Sequence, residues 1–283
     1  MDEITKTINA IKTLKIQGAT NVALKGISLL TLAKTKKQYE SIKKKLIAVR
    51  PTEPMLRNGI KYVDFLKATG FEVKTAVEKY KQLIKTTQEE AIKKAAKKIK
   101  RYDVIMTHCH SSTVVKAIIN ANEESPVKVI VSETRPLYQG RITAKELAKA
   151  GVKTTLIVDS AMRSFIKKAD ACFIGADAIT AEGNVVNKIG SAVLSLCALN
   201  ERKPFFSITE LLKFDPETLK KPEPIEQRNP EEVLKTKMRN LKIENPAFEV
   251  IPKNEITKII TELGEITPSD AYFVTSNTYR WMF

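Results

Sequence analysis

Cys109 stands between two histidines at the end of the apolar run DVIMT, and Asp177 follows the apolar run ACFIGA. A thiol and a carboxyl brought together from separate segments can act as the base and the acid that move protons on one small molecule. Cys109 is expected beside a helix start and basic side chains, both of which lower a thiol's pKa and favour the reactive thiolate. Ser111, Ser112 or Thr113 should cap the helix that follows, whose free first-turn amides are a natural seat for a phosphate. Asn187-Lys188-Ile189-Gly190 opens another predicted helix, where Lys188 faces the positive end of the helix dipole and so implies an anionic ligand. Each residue taken singly also has a plain structural reading: Cys109 as a small side chain, Asp177 as a turn cap, Ser111 as an ordinary N-cap. His108 and His110 flank the thiol but point away from it in extended geometry, and two histidines without further spaced ligands make no metal site.

The elements around these residues predict an α/β fold. From about residue 102, short apolar runs alternate with helical stretches: DVIMTHC then TVVKAIINA, VKVIVSET then TAKELAKAG, TTLIVDS then AMRSFIKKA, ACFIGAD then NKIGSAVLSLCAL, and KPFFSIT. This is the pattern of a parallel sheet with crossover helices, in which ligands bind beyond the carboxyl ends of the strands. Five polar clusters fall at such ends: Thr107 to Ser112, Ser132-Glu133-Thr134-Arg135, Asp159-Ser160, Asp177, and Thr209-Glu210 with Lys213 just beyond. All five are expected to converge on one site. No G-x-G-x-x-G follows the first strand, so no dinucleotide cofactor is expected.

Residues 1–100 have helical periodicity and form an expected N-terminal helical domain, with residues 101–283 as a Rossmann-like catalytic domain and the lysine-rich stretch near 92–101 as the boundary. Arg50-Pro51-Thr52 interrupts the helices and places Arg50 on a connection. Beyond residue 215, FEVIP suggests a strand, ITKIITELG a helix, and the apolar ending YRWMF a segment packed in a core or subunit interface.

The net charge of +16 comes mostly from lysines in stretches such as Lys34 to Lys45 and Lys93 to Arg101. Such runs read as solvated helix faces; without interleaved aromatics or a reading helix they give no case for nucleic acid, though the same field draws in phosphorylated substrates. No charged leader precedes an apolar core and no apolar run approaches the roughly 20 residues of a membrane span, which predicts a soluble cytoplasmic protein. Cys109, Cys172 and Cys197 have no paired spacing and read as reduced thiols, the latter two as core residues.

The motifs THCHSS, ETRPLYQG, LIVDSAMR, GADAIT, NVVNKIG and ITELLKF occur in one order along nearly the whole chain. In this the chain resembles the superfamily of archaeal ribose 1,5-bisphosphate isomerases, methylthioribose 1-phosphate isomerases and the alpha, beta and delta subunits of translation initiation factor 2B. The ITELLKF and NPAFEV segments are most similar to the ribose 1,5-bisphosphate isomerase branch. The resemblance implies conversion of α-D-ribose 1,5-bisphosphate to ribulose 1,5-bisphosphate in archaeal nucleoside salvage, with Cys109 and Asp177 catalytic and no metal or redox cofactor. It implies phosphate or sugar contacts from Arg50, Asn187, Lys188 and Lys213, with Ser111 and Ser112 holding one phosphate. Arg135 and the Gln17-Gly18-Ala19-Thr20 segment join them as substrate-binding candidates. It also implies dimers that assemble into hexamers. One departure stands out: the isomerases carry an arginine where this chain has Gln17, which cannot supply that charge unless Lys15 or a neighbour does. The same Gln-Gly-Ala-Thr reading suits initiation-factor members, so the alternative is a noncatalytic subunit that binds initiation factor two.

Overall fold

In the computed structural model, which describes residues 2–50, 52–236 and 238–283, the three-to-four-residue apolar spacing of the first hundred residues winds into five helices. These are α1 (Glu3–Lys12), α2 (Ala19–Ser28), α3 (Lys36–Val49), α4 (Pro54–Ala68) and α5 (Val73–Ile99). Local chemistry starts them: Asp2 and Thr35 cap α1 and α3 by accepting from the amides of Thr5 and Gln38, and Pro54 opens α4 where its missing N–H costs nothing. The buried stripe of α5 includes Ala76, Val77, Tyr80, Ile84, Ala91, Ile92, Ala95 and Ile99, and Lys93 and Lys97 lie on its exposed side. Gly59 lets α4 and α5 meet, because a Cβ there would lie 2.4 Å from the Tyr80 ring. Arg50 does lie between helices, directly after α3; Pro51 falls outside the described residues.

From Val104 the strands and helices alternate: β1 (Val104–Thr107), α6 (Ser112–Glu124), β2 (Lys128–Ser132), α7 (Gln139–Lys149), β3 (Lys153–Ile157), α8 (Met162–Phe165) and β4 (Ala171–Ile174). The chain then makes β5 (Ala178–Thr180) and β6 (Val185–Lys188) before α9 (Ser191–Asn200), β7 (Phe205–Ile208), β8 (Phe214–Asp215) and β9 (Phe248–Ile251). It ends with β10 (Lys258–Thr261), β11 (Gly264–Ile266) and α10 (Ala271–Thr278).

The main sheet has the order β11-β10-β7-β4-β1-β2-β3, parallel except for β11. The predicted mainly parallel architecture is therefore present. Register brings the ends of the middle strands side by side, with Thr107 opposite Val131, Met106 opposite Cys172 and Ile174 opposite Ser207. One apolar cluster runs from α1, α2, α4 and α5 into Met106, Ile174, Phe205 and Leu211, so the helices pack directly on the sheet.

Three readings of the sequence need correction. ITKIITELG is not helical: it is β10 and the turn into β11, with Ile259, Ile260 and Thr261 fully buried. A short β-branched run buried on both faces has no strand alternation to show, so its spacing was ambiguous with a helix. The segment Asn187-Lys188 does not begin a helix either. It ends β6 in a second sheet of order β8-β5-β6-β9, while Gly190, at φ +100°, caps α9. That second sheet follows Asp177 by one residue; FEVIP is its strand β9, as expected, but the sheet itself was not anticipated, because β5 and β8 are only three and two residues long.

The apolar terminus packs inside this chain. The Trp281 ring lies 5.0 Å from Tyr62 and 6.3 Å from Tyr80, Met282 is fully buried, and Lys61 donates to the Met282 carbonyl at 2.8 Å. All three cysteines are free; Cys172 is in the core and Cys197 is partly buried against it. No helix among the described residues is long and apolar enough to cross a membrane.

Candidate active site

The carboxyl ends of the central strands open into a cavity of about 550 Å³. From the end of β1 come Cys109, Ser111 and Ser112, from β4 Asp177, from β6 Asn187 and Lys188, and from the turn after β7 Lys213. The helical region closes the other side with Gln17, Gly18, Ala19 and Thr20 at the start of α2 and Arg50 at the end of α3.

Cys109 has φ +65°, a strained conformation for a residue with a side chain. Two hydrogen bonds hold it: its amide donates to Thr134 Oγ1 at 2.9 Å, and its carbonyl accepts from Thr143 Oγ1 at 2.8 Å. The loop is thus fixed by backbone contacts that do not involve the sulfur. Burial pushes the thiol up to about 11, with Lys188 pulling the other way and Asp177 adding to the rise. The expected low-pKa thiolate is therefore corrected. The helix start is close, as expected, but desolvation of a buried thiol outweighs it.

Ser111 caps α6, its Oγ accepting from the Val114 amide at 3.4 Å, and α6 points its first turn at the cavity. Gly175 at the end of β4 permits this approach, since a Cβ there would lie 2.8 Å from Ser111 Oγ. The start of α2 is similar: Gly18, at φ +81°, occupies the N-cap with no side-chain cap, which leaves first-turn amides for an anion.

The backbone here is not extended, since Cys109 has φ +65°, and His110 shares the cavity with the thiol, so the expected outward pair is corrected; only His108 turns to other partners. Its Nε2 lies 2.8 Å from the Ile189 carbonyl and its Nδ1 2.6 Å from Ser132 Oγ, so the ring donates to the first and accepts from the second. Burial lowers its pKa, which keeps it neutral. His110 bonds Thr143 Oγ1 at 3.0 Å and lines the cavity.

Asp177 is partly buried, and its carboxyl is raised above the usual range by desolvation while Lys188, Lys213 and Arg50 pull it down. A carboxyl so placed holds a proton more readily than one in water. Lys213 donates to the Ala176 carbonyl at 2.9 Å and pairs with Glu210 at 3.4 Å. Lys188 lies 4.5 Å from the centre of the Phe248 ring and acts electrostatically on both Asp177 and Cys109. Asn187 is fixed by donating to Ser191 Oγ at 3.0 Å. Gln17 turns its amide to the Leu14 carbonyl at 2.7 Å.

Arg135 is not part of this cavity. It is exposed, and its guanidinium donates to Tyr138 Oη at 2.8 Å and the Val233 carbonyl at 3.1 Å. The clusters after β2 and β3 instead satisfy each other: Asp159 accepts from the amides of Thr134 and Arg135 at 2.8 and 2.7 Å. The ends of β1, β4 and β6 and the turn after β7 supply polar groups to the cavity; the segment after β2 adds Leu137, Gln139 and Ile142 but not Arg135, and the segment after β3 adds none of the lining residues. Lys15 does not line it. Lys116 does, one helical turn after Ser112 on α6, and a cation four residues from a predicted phosphate-binding helix start was a usable signal. Glu53, Glu226 and Arg228 also line the cavity. The last two come from the Pro- and Glu-rich tail, which has no periodicity to place it.

Among the described residues no group of three or more His, Cys, Asp or Glu side chains is arranged to hold a metal ion. A family model described as the initiation factor 2 subunit family matches residues 5–268. A ribose 1,5-bisphosphate isomerase of Methanocaldococcus jannaschii is 39% identical over 100% of this chain and 97% of its own length. One from Thermococcus kodakarensis is 36% identical over 99% of this chain and 95% of its own. Among solved structures, a translation initiation factor eIF-2B of Pyrococcus horikoshii OT3 superposes with TM-score 0.83 at 29% identity, covering 95% of this chain and 98% of that one. The 5-methylthioribose 1-phosphate isomerase of the same organism gives TM-score 0.76 at 25% identity, covering 97% and 87%.

Proposed function

The chain belongs to the initiation factor 2 subunit family, and we propose that within it the protein is an aldose-ketose isomerase that converts α-D-ribose 1,5-bisphosphate to D-ribulose 1,5-bisphosphate. The observation that carries this reading is the shared cavity: one thiol and one carboxyl with raised pKa face a space lined by Arg50, Lys116, Lys188 and Lys213 and by the starts of two helices. A bisphosphate brings two dianions, and cations with helix-start amides at both sides of the cavity suit it.

In this mechanism Asp177, as the acid, gives its proton to the ring oxygen as the bond from C1 to that oxygen breaks. Cys109, as the thiolate, takes the proton from C2, and the C–H electron pair becomes the C1=C2 bond of an enol phosphate. The thiol returns that proton to C1. The C2 hydroxyl then gives its own proton back to Asp177 and becomes the carbonyl, so the protein ends as it began. The reacting form carries one proton on the pair, on Asp177 rather than on sulfur, with Lys188 beside the thiolate. Because the thiol's pKa is about 11, the proton rests mainly on sulfur and the reacting form is its minor tautomer; the pair loses that proton only as pH rises towards 11. The same reading includes the cytoplasm as location and a homo-oligomer, dimeric or hexameric, as assembly.

The direct test is turnover of a panel of aldose 1-phosphates by the purified protein. Ribulose 1,5-bisphosphate formed from ribose 1,5-bisphosphate, with much slower reaction of singly phosphorylated pentoses, is the expected result. Capture of initiation factor two with no turnover of any of them would support the noncatalytic alternative, to which the eIF-2B-like structure also gives weight. Lys116 supplies a second expected outcome. Lys116→Ala should raise KM about three- to tenfold with kcat nearly unchanged, because an exposed cation contributes equally to ground and transition states.

A further inference from the structure

Arg50 is 6% exposed at the wall of the cavity and sits between two carboxylates, with Nη2 3.0 Å from Glu53 Oε1 and Nε 3.4 Å from Glu226 Oε2. Its pairing is incomplete. Among the described residues Nε and Nη1 of Arg50 make no hydrogen bond, and neither do Oε2 of Glu53 and Oε2 of Glu226. Glu53 is 1% exposed and occupies the N-cap position of α4 without using its carboxyl to cap the helix. One buried carboxyl thus has a single guanidinium as its nearest cation, and that guanidinium also faces the cavity with N–H groups unspent.

An anion entering the cavity takes up those unspent N–H groups and so shares the guanidinium charge on which Glu53 depends. A buried carboxylate that loses its cation neutralises by binding a proton, since the alternative is an uncompensated charge in a low-dielectric site. We infer that Glu53 is a proton-loading residue, ionised while paired with Arg50 in the empty cavity and taking up one proton from solvent when an anionic group of the substrate occupies Arg50. This rests on the reading of the cavity as a sugar-phosphate site and adds a linkage to it. Glu53 acts through Arg50, as a positioning residue; its proton stops the arriving phosphate from meeting an undiminished cluster of Glu53, Glu226 and Asp177.

The charges that face Glu53 support the direction. Burial has already pushed its carboxyl up to about 7; Arg50 and Lys213 oppose the rise, while Asp177 and Glu226 add to it. Drawing Arg50 towards a ligand removes the largest opposing influence, so the carboxyl in the complex titrates above 7. Binding is then accompanied by proton uptake between 7 and that higher value, and by none well below 7, where Glu53 is protonated before the anion arrives.

Sulfate is a suitable probe, because it resembles phosphate and neither gains nor loses a proton near neutrality. Calorimetric titration of the full chain with sulfate at about pH 8, in two buffers of different ionisation heat, is expected to show uptake approaching one proton per chain. The sulfate dissociation constant should rise by up to about tenfold per pH unit above 7 and level off below it. Glu53→Gln should still bind sulfate but with no uptake and a flattened pH dependence, while Glu53→Asp should retain the uptake. Sulfate bound by the native protein without proton uptake overturns the inference whether or not the variants fold, as does a Glu53→Gln variant with the native slope. Failure of the native protein to bind sulfate at all would remove the anion site itself, and with it both this linkage and the sugar-phosphate reading; binding without uptake removes the linkage alone.

Discussion

Cys109→Ser is expected to lower kcat by about a thousandfold, the scale of a lost general base, while KM stays within a few-fold of the native value. Serine keeps the size of the side chain and leaves untouched the bonds to Thr134 and Thr143 that hold the loop at φ +65°. What it removes is a group that can exist as an anion beside Lys188. The thiol is already a reluctant acid at about 11, and an alcohol in the same desolvated place is far more so. The melting temperature should move by less than about 4 °C, the shift that roughly 1 kcal/mol produces in a chain of this size. Turnover close to native in a folded Cys109→Ser variant would remove the thiol from the mechanism.

Asp177→Asn should lower kcat by about a hundred- to ten-thousandfold, because the amide has the shape of the acid and no proton to give to the ring oxygen. Its effect on binding should run the other way. Asp177 shares its surroundings with Lys188, Lys213 and Arg50, so removing its charge leaves these cations freer for phosphate and KM should stay level or fall. A second readout is independent of turnover. Asp177 is one of the charges that raise the Cys109 thiol, so the alkylation rate of Cys109, followed against pH, should have its midpoint lower in Asp177→Asn than in the native protein. An unchanged midpoint would mean that the two side chains do not sense each other, and the idea of a shared proton would fail.

The positions of these two residues show what could be read without coordinates. DVIMT and ACFIG are apolar to their ends and each is followed at once by polar residues, which in a parallel sheet is enough to put Cys109 and Asp177 beyond strand ends. Ser111 as a cap follows from the same reasoning, since a helix that starts there needs a side-chain acceptor. Arg135 shows where such reasoning stops. It too follows a strand end, but its guanidinium turns to Tyr138 and the Val233 carbonyl while Leu137 and Gln139 of the same connection reach the cavity, and that choice belongs to the folded chain. Of the second sheet only FEVIP was legible as a strand; β5 and β8, of three and two residues, are too short to show alternation, and β6 was read as a helix start. ITKIITELG was misread because burial on both faces erases the alternation that marks a strand.

By itself the sequence determined the alternation of strand and helix from β1 to β4, the carboxyl-end placement of the thiol and the acid, the helix start at Ser111 able to hold phosphate, and, through its ordered motifs, the family. These are local properties, written in residue spacing and in what each backbone segment needs to satisfy its own hydrogen bonds. Only the tertiary structure decided which strand ends share a cavity, that Lys116, Arg228 and Glu53 join it, and that Cys109 is a buried thiol rather than a ready thiolate. The reason is physical: desolvation and charge pairing depend on what other parts of the chain exclude water from a residue, and no spacing rule contains that.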